Sequence, residues 1–313
     1  MRTSRTQATV AGSIAGLLLI SAVVASAAAT AAAATTTTSG DVATVEIDVE
    51  QDQSRWALPL DSYLIADPHA VAYGEQLAVQ PCLEEAGYAW PVPWQDLTEE
   101  RFEWMNDAGR TLFNAELAAR SGYHRPITTS PSIQAWDEFG VYVNSFNADD
   151  AFNAVFDTCL DAVRAENPMP NMDDQMYVYG LIAESKQIAL SSPALSDAAK
   201  RWNSCLQEAG IDAPATPEMM PTDQMKATFG LDGSEAQRAA GATPDEIKLA
   251  TQDAECAASS RYDEIFYKTQ WDSQVVLIDN NAPKLSQIKA DVDRYARGIQ
   301  TFIDAYAPSG PQG

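Results

Sequence analysis

Apolar side chains recur every three or four residues along much of the chain, which is the spacing of one face of an α-helix. The clearest stripe lies within 148–165, where six apolar side chains line one face of the predicted helix. They are Phe152, Val155, Phe156, Cys159, Leu160 and Val163. The last third repeats the pattern, and from 285 to 306 the spacing is strictly three and four, as in a coiled-coil seam. Pro283 interrupts the longer periodic run over 271–306, so the pattern predicts a long helix hairpin or a single bent helix.

Several segments carry the residues that begin and end helices. Asp67-Pro68 predicts an N-cap followed by proline at the first helical position, with a helix over 67–86 that ends before Gly87 and is kinked at Pro81. A second helix is predicted over 196–209, before Gly210.

Two more segments resemble capping boxes, one from Thr243 to Glu246 and one from Asn147 to Asp150. No alternation of strands and helices is visible. We therefore predict a mainly α, disulfide-stabilised helical domain over 55–308.

The first residues have the pattern of a secretory signal peptide. Arg2 and Arg5 precede an apolar run over 10–24, and Ala25-Ser26-Ala27 fits the cleavage rule. The run is shorter than the about 20 residues of a membrane span, although an uncleaved anchor is the alternative. We predict a signal peptide over 1–27, a flexible Ala/Thr-rich and acidic leader over 28–54, and a disordered tail over 309–313.

The chain is strongly acidic, with 44 Asp and Glu against 20 Lys and Arg and a net charge of −24. Such a charge repels nucleic acid and anionic membrane surfaces. We therefore expect no nucleic-acid partner and no stable membrane insertion after signal cleavage. The expected location is secreted or cell-wall associated.

Four cysteines are present, and an even number in an exported chain favours disulfides over a metal site. Their spacings of 77, 46 and 51 residues contain no C-x-x-C pair. Four cysteines allow three connectivities. The residues are Cys82, Cys159, Cys205 and Cys256.

A short internal repeat bears on that choice. Cys82-Leu-Glu-Glu-Ala-Gly and Cys205-Leu-Gln-Glu-Ala-Gly match at five of six positions, and prolines follow both. Two related halves, 55–170 and 171–308, would each carry one bridge, which favours Cys82–Cys159 and Cys205–Cys256. The alternative is two similar helix ends that arose by chance.

Residue types that carry catalysis are sparse. The two histidines, His69 and His124, have no partner at the spacing of a zinc helix. Ser286 and Lys289 match S-x-x-K without its companion motifs, so we interpret the match as chance. The adjacent carboxylates 99–100, 149–150 and 173–174 are expected to cap helices or face water. We assign no catalytic residue, metal ligand or cofactor.

Aromatic residues around Pro91 and Pro93 are the best sequence candidate for a binding surface. Such residues either line a groove for sugar or peptide or cover the core beneath a long loop. The set comprises Tyr88, Trp90, Trp94, Phe102 and Trp104.

Trp202, Cys205, Leu206 and Gly210 form the pattern W-x-x-C-[ML]-x-x-x-G, with prolines after it and Cys256 in a later helix. In this the chain resembles a group of secreted or lipid-anchored actinobacterial helical proteins of unassigned function. The resemblance implies an envelope location and no particular reaction, and this chain lacks a lipid-attachment cysteine.

The sequence leaves two functions open. The first is a non-catalytic binding or accessory protein of the bacterial cell envelope, with an envelope protein or cell-wall component as its partner. The second is a secreted hydrolase acting on wall glycan or peptide. A deep pocket with converging acids, or a deep pocket with His124 beside a carboxylate, would favour the enzyme. A shallow aromatic groove without titratable groups of shifted pKa would favour binding.

Overall fold

The computed structural model describes residues 49–65, 67–99, 113–124, 130–146, 149–233 and 241–310, which all belong to one compact unit. The predicted signal peptide, most of the predicted leader, and Phe102 and Trp104 lie outside these residues.

The mainly α fold is confirmed, since the described residues contain ten α-helices, two short 3-10 helices and no strand. The 3-10 helices are Pro59–Tyr63 and Pro217–Met219. The α-helices are α1 (Pro68–Glu85), α2 (Ala115–Ser121), α3 (Pro131–Asn144), α4 (Asp150–Glu166), α5 (Met172–Leu190), α6 (Pro193–Glu208), α7 (Asp223–Phe229), α8 (Pro244–Ser260), α9 (Tyr262–Asn280) and α10 (Ala282–Tyr306). None of these helices is long and apolar enough to cross a membrane.

The predicted helix starts are confirmed in part. The Asp67 carboxylate caps α1 by accepting from the N–H groups of His69 and Ala70, with Pro68 at the first position. Helix α4 is capped by Asp149, not by the predicted Asn147 box, because the Asp149 carboxylate accepts from the N–H groups of residues 151 and 152. Asn147 lies outside the described residues.

The C-terminal run is divided at Asn281 into α9 and α10, and Pro283 lies in the first turn of α10. The two helices pack mainly on different partners, α9 on α5 and α10 on α1. The seam of α10 is buried at its predicted positions as far as residue 302, whereas Tyr306 is exposed. A further break at Arg261 divides α8 from α9 without a glycine or proline. Arg261 adopts the left-handed conformation there, with φ of 59°.

Both predicted disulfides are present, and each joins two helices. Cys82 of α1 bonds Cys159 of α4, and Cys205 of α6 bonds Cys256 of α8. The chain-entropy account assigns each such loop about 4 kcal/mol of stabilisation.

The two matching segments end their helices in the same way. The N–H of Tyr88 donates to Leu83 C=O, and the N–H of Ile211 donates to Leu206 C=O, both at 2.9 Å. Gly87 and Gly210 both have positive φ, which completes a Schellman-type helix end. The similarity therefore extends to local backbone geometry, and the division into two halves stays a prediction.

The cores explain how the helices are arranged. One core joins α1, α3, α4 and α10 around Trp90. A second core joins α5, α9 and α10 with the 3-10 helix Pro59–Tyr63. A third joins α6 and α9 with Trp56. The remaining clusters join α2 to α8 and α6 to α8, largely through alanine side chains.

Glutamine side chains of α9 fix the segment that precedes α1. Gln270 Oε1 accepts from the Trp56 indole N–H at 3.1 Å, and Gln274 Oε1 accepts from the Leu60 N–H at 2.8 Å. The segment carrying Trp56 is therefore held beside the junction of α8 and α9, where the candidate site lies.

Candidate functional site

Among the aromatic residues predicted to line a groove, Trp90 is packed inside the protein. Trp90 is only 1% exposed, and its indole N–H donates to Gln76 Oε1 at 2.9 Å. Its ring packs against Phe152, with the ring centroids 5.5 Å apart. Tyr88 and Trp94 are half-buried. Trp90 therefore stabilises the core and offers no surface to a ligand.

A buried histidine–carboxylate pair lies where α2 meets α8. Glu246 is fully buried and His124 is 8% exposed, and Glu246 Oε1 lies 2.8 Å from His124 Nδ1. The same oxygen accepts from the Tyr123 N–H at 2.8 Å. The Thr243 half of the predicted capping box is present, since Thr243 Oγ1 accepts from the Glu246 N–H. The Glu246 side chain, however, binds the chain after α2 and does not complete the box.

Gly122 makes this contact possible. It has φ of +57°, and a Cβ there would lie 2.6 Å from Glu246 Oε1. Only glycine combines that backbone conformation with so close an approach. The turn after α2 is therefore shaped to present two donors to one buried carboxylate.

Two helical turns after Glu246, Asp253 forms a second buried contact. Asp253 Oδ1 accepts from the Trp202 indole N–H at 2.8 Å, and Oδ2 accepts from the Tyr123 hydroxyl at 3.1 Å. Burial, followed by the charge of Asp253, raises the pKa of Tyr123, so its phenol stays a neutral donor. Trp202 of the W-x-x-C pattern thus binds α6 to α8 beside the Cys205–Cys256 bond.

The spacing of Glu246 and Asp253 indicates this network, but Glu246 also fits a capping box, and that interpretation concealed its buried role. Glu246 and Asp253 are seven residues apart and share a helix face with Ala250, which is buried. Acidic side chains on an apolar face need buried partners. Their partners Tyr123 and His124 lie more than a hundred residues away along the chain, so periodicity could not identify them.

A histidine held by a carboxylate through Nδ1 is an arrangement that acid–base catalysts use. Here the other nitrogen, His124 Nε2, is buried and has no hydrogen-bond partner among the described residues. A substrate would need to reach that nitrogen, and burial prevents it. In this geometry the pair holds the α2 turn against α8.

An open cleft of about 520 Å³ lies on the same side of α8. Alanine side chains of α8, including Ala254, Ala257 and Ala258, line it together with Trp56 and Phe113. Phe113 stacks on Tyr123, with ring centroids 5.3 Å apart and an interplanar angle of 9°. The buried network therefore supports a side of the cleft. Polar and charged lining comes from Gln53, Ser54, Asn114, Arg261, Asp263 and Glu264.

Arg261 and Glu264 form an ion pair at the cleft. The Arg261 guanidinium donates to the Glu264 carboxylate, with 2.7 Å between Nε and Oε2. This bond lowers the pKa of Glu264 and raises the pKa of Arg261. A glycosidase acid needs the opposite shift, because it must hold a proton at neutral pH. Glu264 is thus suited to hold Arg261 in place, not to donate a proton.

The other residues considered for chemistry have local roles. His69 packs edge-on against Trp136, with ring centroids 4.9 Å apart. Asp174 pairs with Lys284 at 3.0 Å, and the Ser286 hydroxyl donates to Ala282 C=O. No group of three His, Cys, Asp or Glu side chains within the described ranges could hold a metal ion.

Comparison of the chain with known protein families, with curated proteins and with solved structures finds no match to any of them.

Proposed function

We propose that the protein is an exported, non-catalytic binding protein of the bacterial cell envelope that holds a cell-wall component in the cleft beside α8. The cleft is the observation that carries this proposal. It has room for a sugar ring or a short peptide, and it combines alanine and aromatic surface with a few fixed polar groups, as small-ligand sites do.

Export is supported by three features. The first residues follow the signal-peptide pattern, and the acidic chain has no run of basic residues. Two disulfides join its helices. Such bonds persist in oxidising compartments outside the cytoplasm. We therefore propose that the protein is secreted or associated with the cell wall. The resemblance to exported actinobacterial proteins agrees with this location.

The runner-up is a hydrolase of wall glycan or peptide, and the His124–Glu246 contact is the observation in its favour. The burial of both side chains opposes it. The cleft opposes it too, because Arg261 keeps Glu264 ionised. A binding site without turnover agrees better with both facts.

The test uses the mature protein and purified actinobacterial peptidoglycan, and it measures two quantities at once. Cosedimentation gives the bound fraction, and new reducing ends or free amines give hydrolysis. Ala258→Trp places a bulky ring in the cleft from an exposed helix position, and the exposed neighbour Ser259→Trp is the matched control.

We expect the wild type to bind without releasing fragments. Ala258→Trp should bind about tenfold more weakly, since blocking a cleft removes contacts worth about 1.4 kcal/mol or more. Ser259→Trp should bind like the wild type. Fragment release in proportion to protein would establish the hydrolase, and unchanged binding by Ala258→Trp would show that the cleft is not the site.

A further inference from the structure

Helix α5 carries apolar side chains on two faces. Its inner face is buried and includes Val178, Ile182 and Ala189. A second set is exposed to solvent, with Met172 and Met176 each 60% exposed and Tyr179 50% exposed. We call Met172, Met176 and Tyr179, with Met169 just before the helix and Leu190 at its end, the α5 stripe.

The spacing of these residues places them on one face of the helix. Met172, Met176 and Tyr179 are separated by four and three residues, so their side chains lie above one another on one helix face. Leu190 lies on the same face at the end of the helix, about 27 Å from Met172 at 1.5 Å per residue. Single exposed apolar residues are ordinary, but an aligned set on one helix marks a contact surface.

The composition of the stripe favours a protein partner. Three of the eight methionines of the chain lie within 169–176. Methionine is flexible and polarisable, so it adapts to the side chains of a partner helix and is frequent at binding surfaces.

Charge identifies the kind of partner. Asp173 and Glu184 are exposed beside the stripe, and they outnumber the single cation of the helix, Lys186, which is half-buried on the stripe face between Tyr179 and Leu190. The whole chain has a net charge of −24. A second copy of this chain and an anionic lipid surface would both be repelled, whereas a helix with one apolar face and lysine or arginine beside it would be attracted.

We propose that the α5 stripe docks a cationic amphipathic helix of another protein of the envelope. The apolar face of that helix covers Met172, Met176 and Tyr179, and its basic residues meet Asp173 and Glu184. This contact is helix-on-helix recognition through side chains at positions i, i+4 and i+7. It does not depend on the cleft, and either site can fail without the other.

The test measures binding of the mature protein to a fluorescent Leu/Lys peptide of about 18 residues, patterned as an amphipathic helix to match the stripe. A peptide with Glu in place of Lys is the charge control. The stripe variant combines Met172→Gln, Met176→Gln and Tyr179→Gln, which leaves the charge of the protein unchanged. The matched variant combines Val141→Gln and Val276→Gln, two exposed apolar residues on α3 and α9.

We expect the wild type and the matched variant to bind the Leu/Lys peptide alike, and the stripe variant to bind it about tenfold or more weakly. The Leu/Glu peptide should not bind. On addition of the Leu/Lys peptide, the methyl signals of Met172 and Met176 should shift in NMR spectra, and that of the exposed Met219 should not.

Four results would overturn the proposal. Equal affinity of the stripe variant, or no binding by the wild type, would show that the stripe does not recognise such a helix. A wild-type dimer that the stripe variant abolishes would identify a second copy as the occupant. Binding to phosphatidylglycerol vesicles that the stripe variant loses would identify a lipid surface.

Discussion

Glu246 is a carboxylate buried among backbone and ring donors, and its neighbours explain how it is tolerated. The Tyr123 N–H and His124 Nδ1 both lie 2.8 Å from one of its oxygens. A buried charge of this kind is costly unless its partners remain in place. The turn 121–124 and the first turn of α8 therefore stabilise each other.

Glu246→Ala should lower the free energy of unfolding by about 3 kcal/mol, because it leaves the Tyr123 N–H and His124 without their acceptor. Glu246→Gln keeps an acceptor oxygen and should cost about 1–2 kcal/mol. Asp245→Asn, at the exposed neighbouring position, should change stability by about 0.5 kcal/mol or less. Urea unfolding followed by circular dichroism measures all three. Equal costs for Glu246→Ala and Asp245→Asn would contradict the network.

We predict that the buried phenol of Tyr267 lowers the free energy of unfolding at alkaline pH. Its hydroxyl donates to Ala57 C=O at 2.6 Å, and burial raises the pKa of Tyr267 to about 12. Above pH of about 10 an exposed tyrosine in the unfolded chain loses its proton while the folded Tyr267 keeps it. The unfolded state then binds fewer protons, so the free energy of unfolding falls between pH of about 10 and 12.

Tyr267→Phe should lessen this alkaline loss, although it costs about 1 kcal/mol at neutral pH through the missing hydrogen bond. The measurement is the free energy of unfolding of both proteins between pH of about 7 and 12. Parallel profiles above pH of about 10 would show that Tyr267 does not contribute to the loss.

At the scale of elements, close contacts between helices set the packing. Gly74 of α1 faces Ile299 of α10, and a Cβ at Gly74 would lie 2.8 Å from Ile299 Cγ2 and 3.2 Å from its carbonyl oxygen. The contact brings the first and last of the described α-helices together in the core that surrounds Trp90.

Gly74→Ala should destabilise the fold by about 1–2 kcal/mol, since overpacking outweighs the better helix propensity of alanine. Gly140→Ala is the matched variant, because a Cβ at that position in α3 meets no atom within 4 Å. It should stabilise by about 0.5–1 kcal/mol. Thermal unfolding of the two variants is sufficient, and a stabilised Gly74→Ala would contradict the close packing.

The helices differ in how well the sequence predicts them. Helix α4, with one apolar face, was predicted nearly to both ends, and the capping residue Thr243 predicted the start of α8. The break at Arg261 was not predicted, because neither glycine nor proline marks it. Helix α5 was missed since apolar residues occur on two of its faces, which conceals the periodicity.

The candidate site was less predictable than the fold. The cleft is built from residues 53–56, 113–115 and 254–264, which lie far apart along the chain. The sequence drew attention instead to aromatic residues near two prolines, of which Trp90 belongs to a core. Aromatic composition alone does not distinguish a buried ring from one that lines a cleft.

For the whole molecule, the arrangement separates stability from recognition. The Cys82–Cys159 bond joins α1 to α4, and the Cys205–Cys256 bond joins α6 to α8. Glu246 and Asp253 add buried hydrogen bonds to α8. We propose the cleft and the α5 stripe as surfaces for ligands. We propose that the cleft binds a wall component and that the buried His124–Glu246 pair has a structural role.

The most direct test compares the wild type, Glu246→Gln and Ala258→Trp with peptidoglycan at a temperature where all three are folded. The measurement records the bound fraction and the fragments released over time. We predict no release by any of them, wild-type binding by Glu246→Gln in spite of its lower stability, and weakened binding by Ala258→Trp in spite of unchanged stability. Fragment release by the wild type that Glu246→Gln abolishes would contradict it and would make the buried pair catalytic.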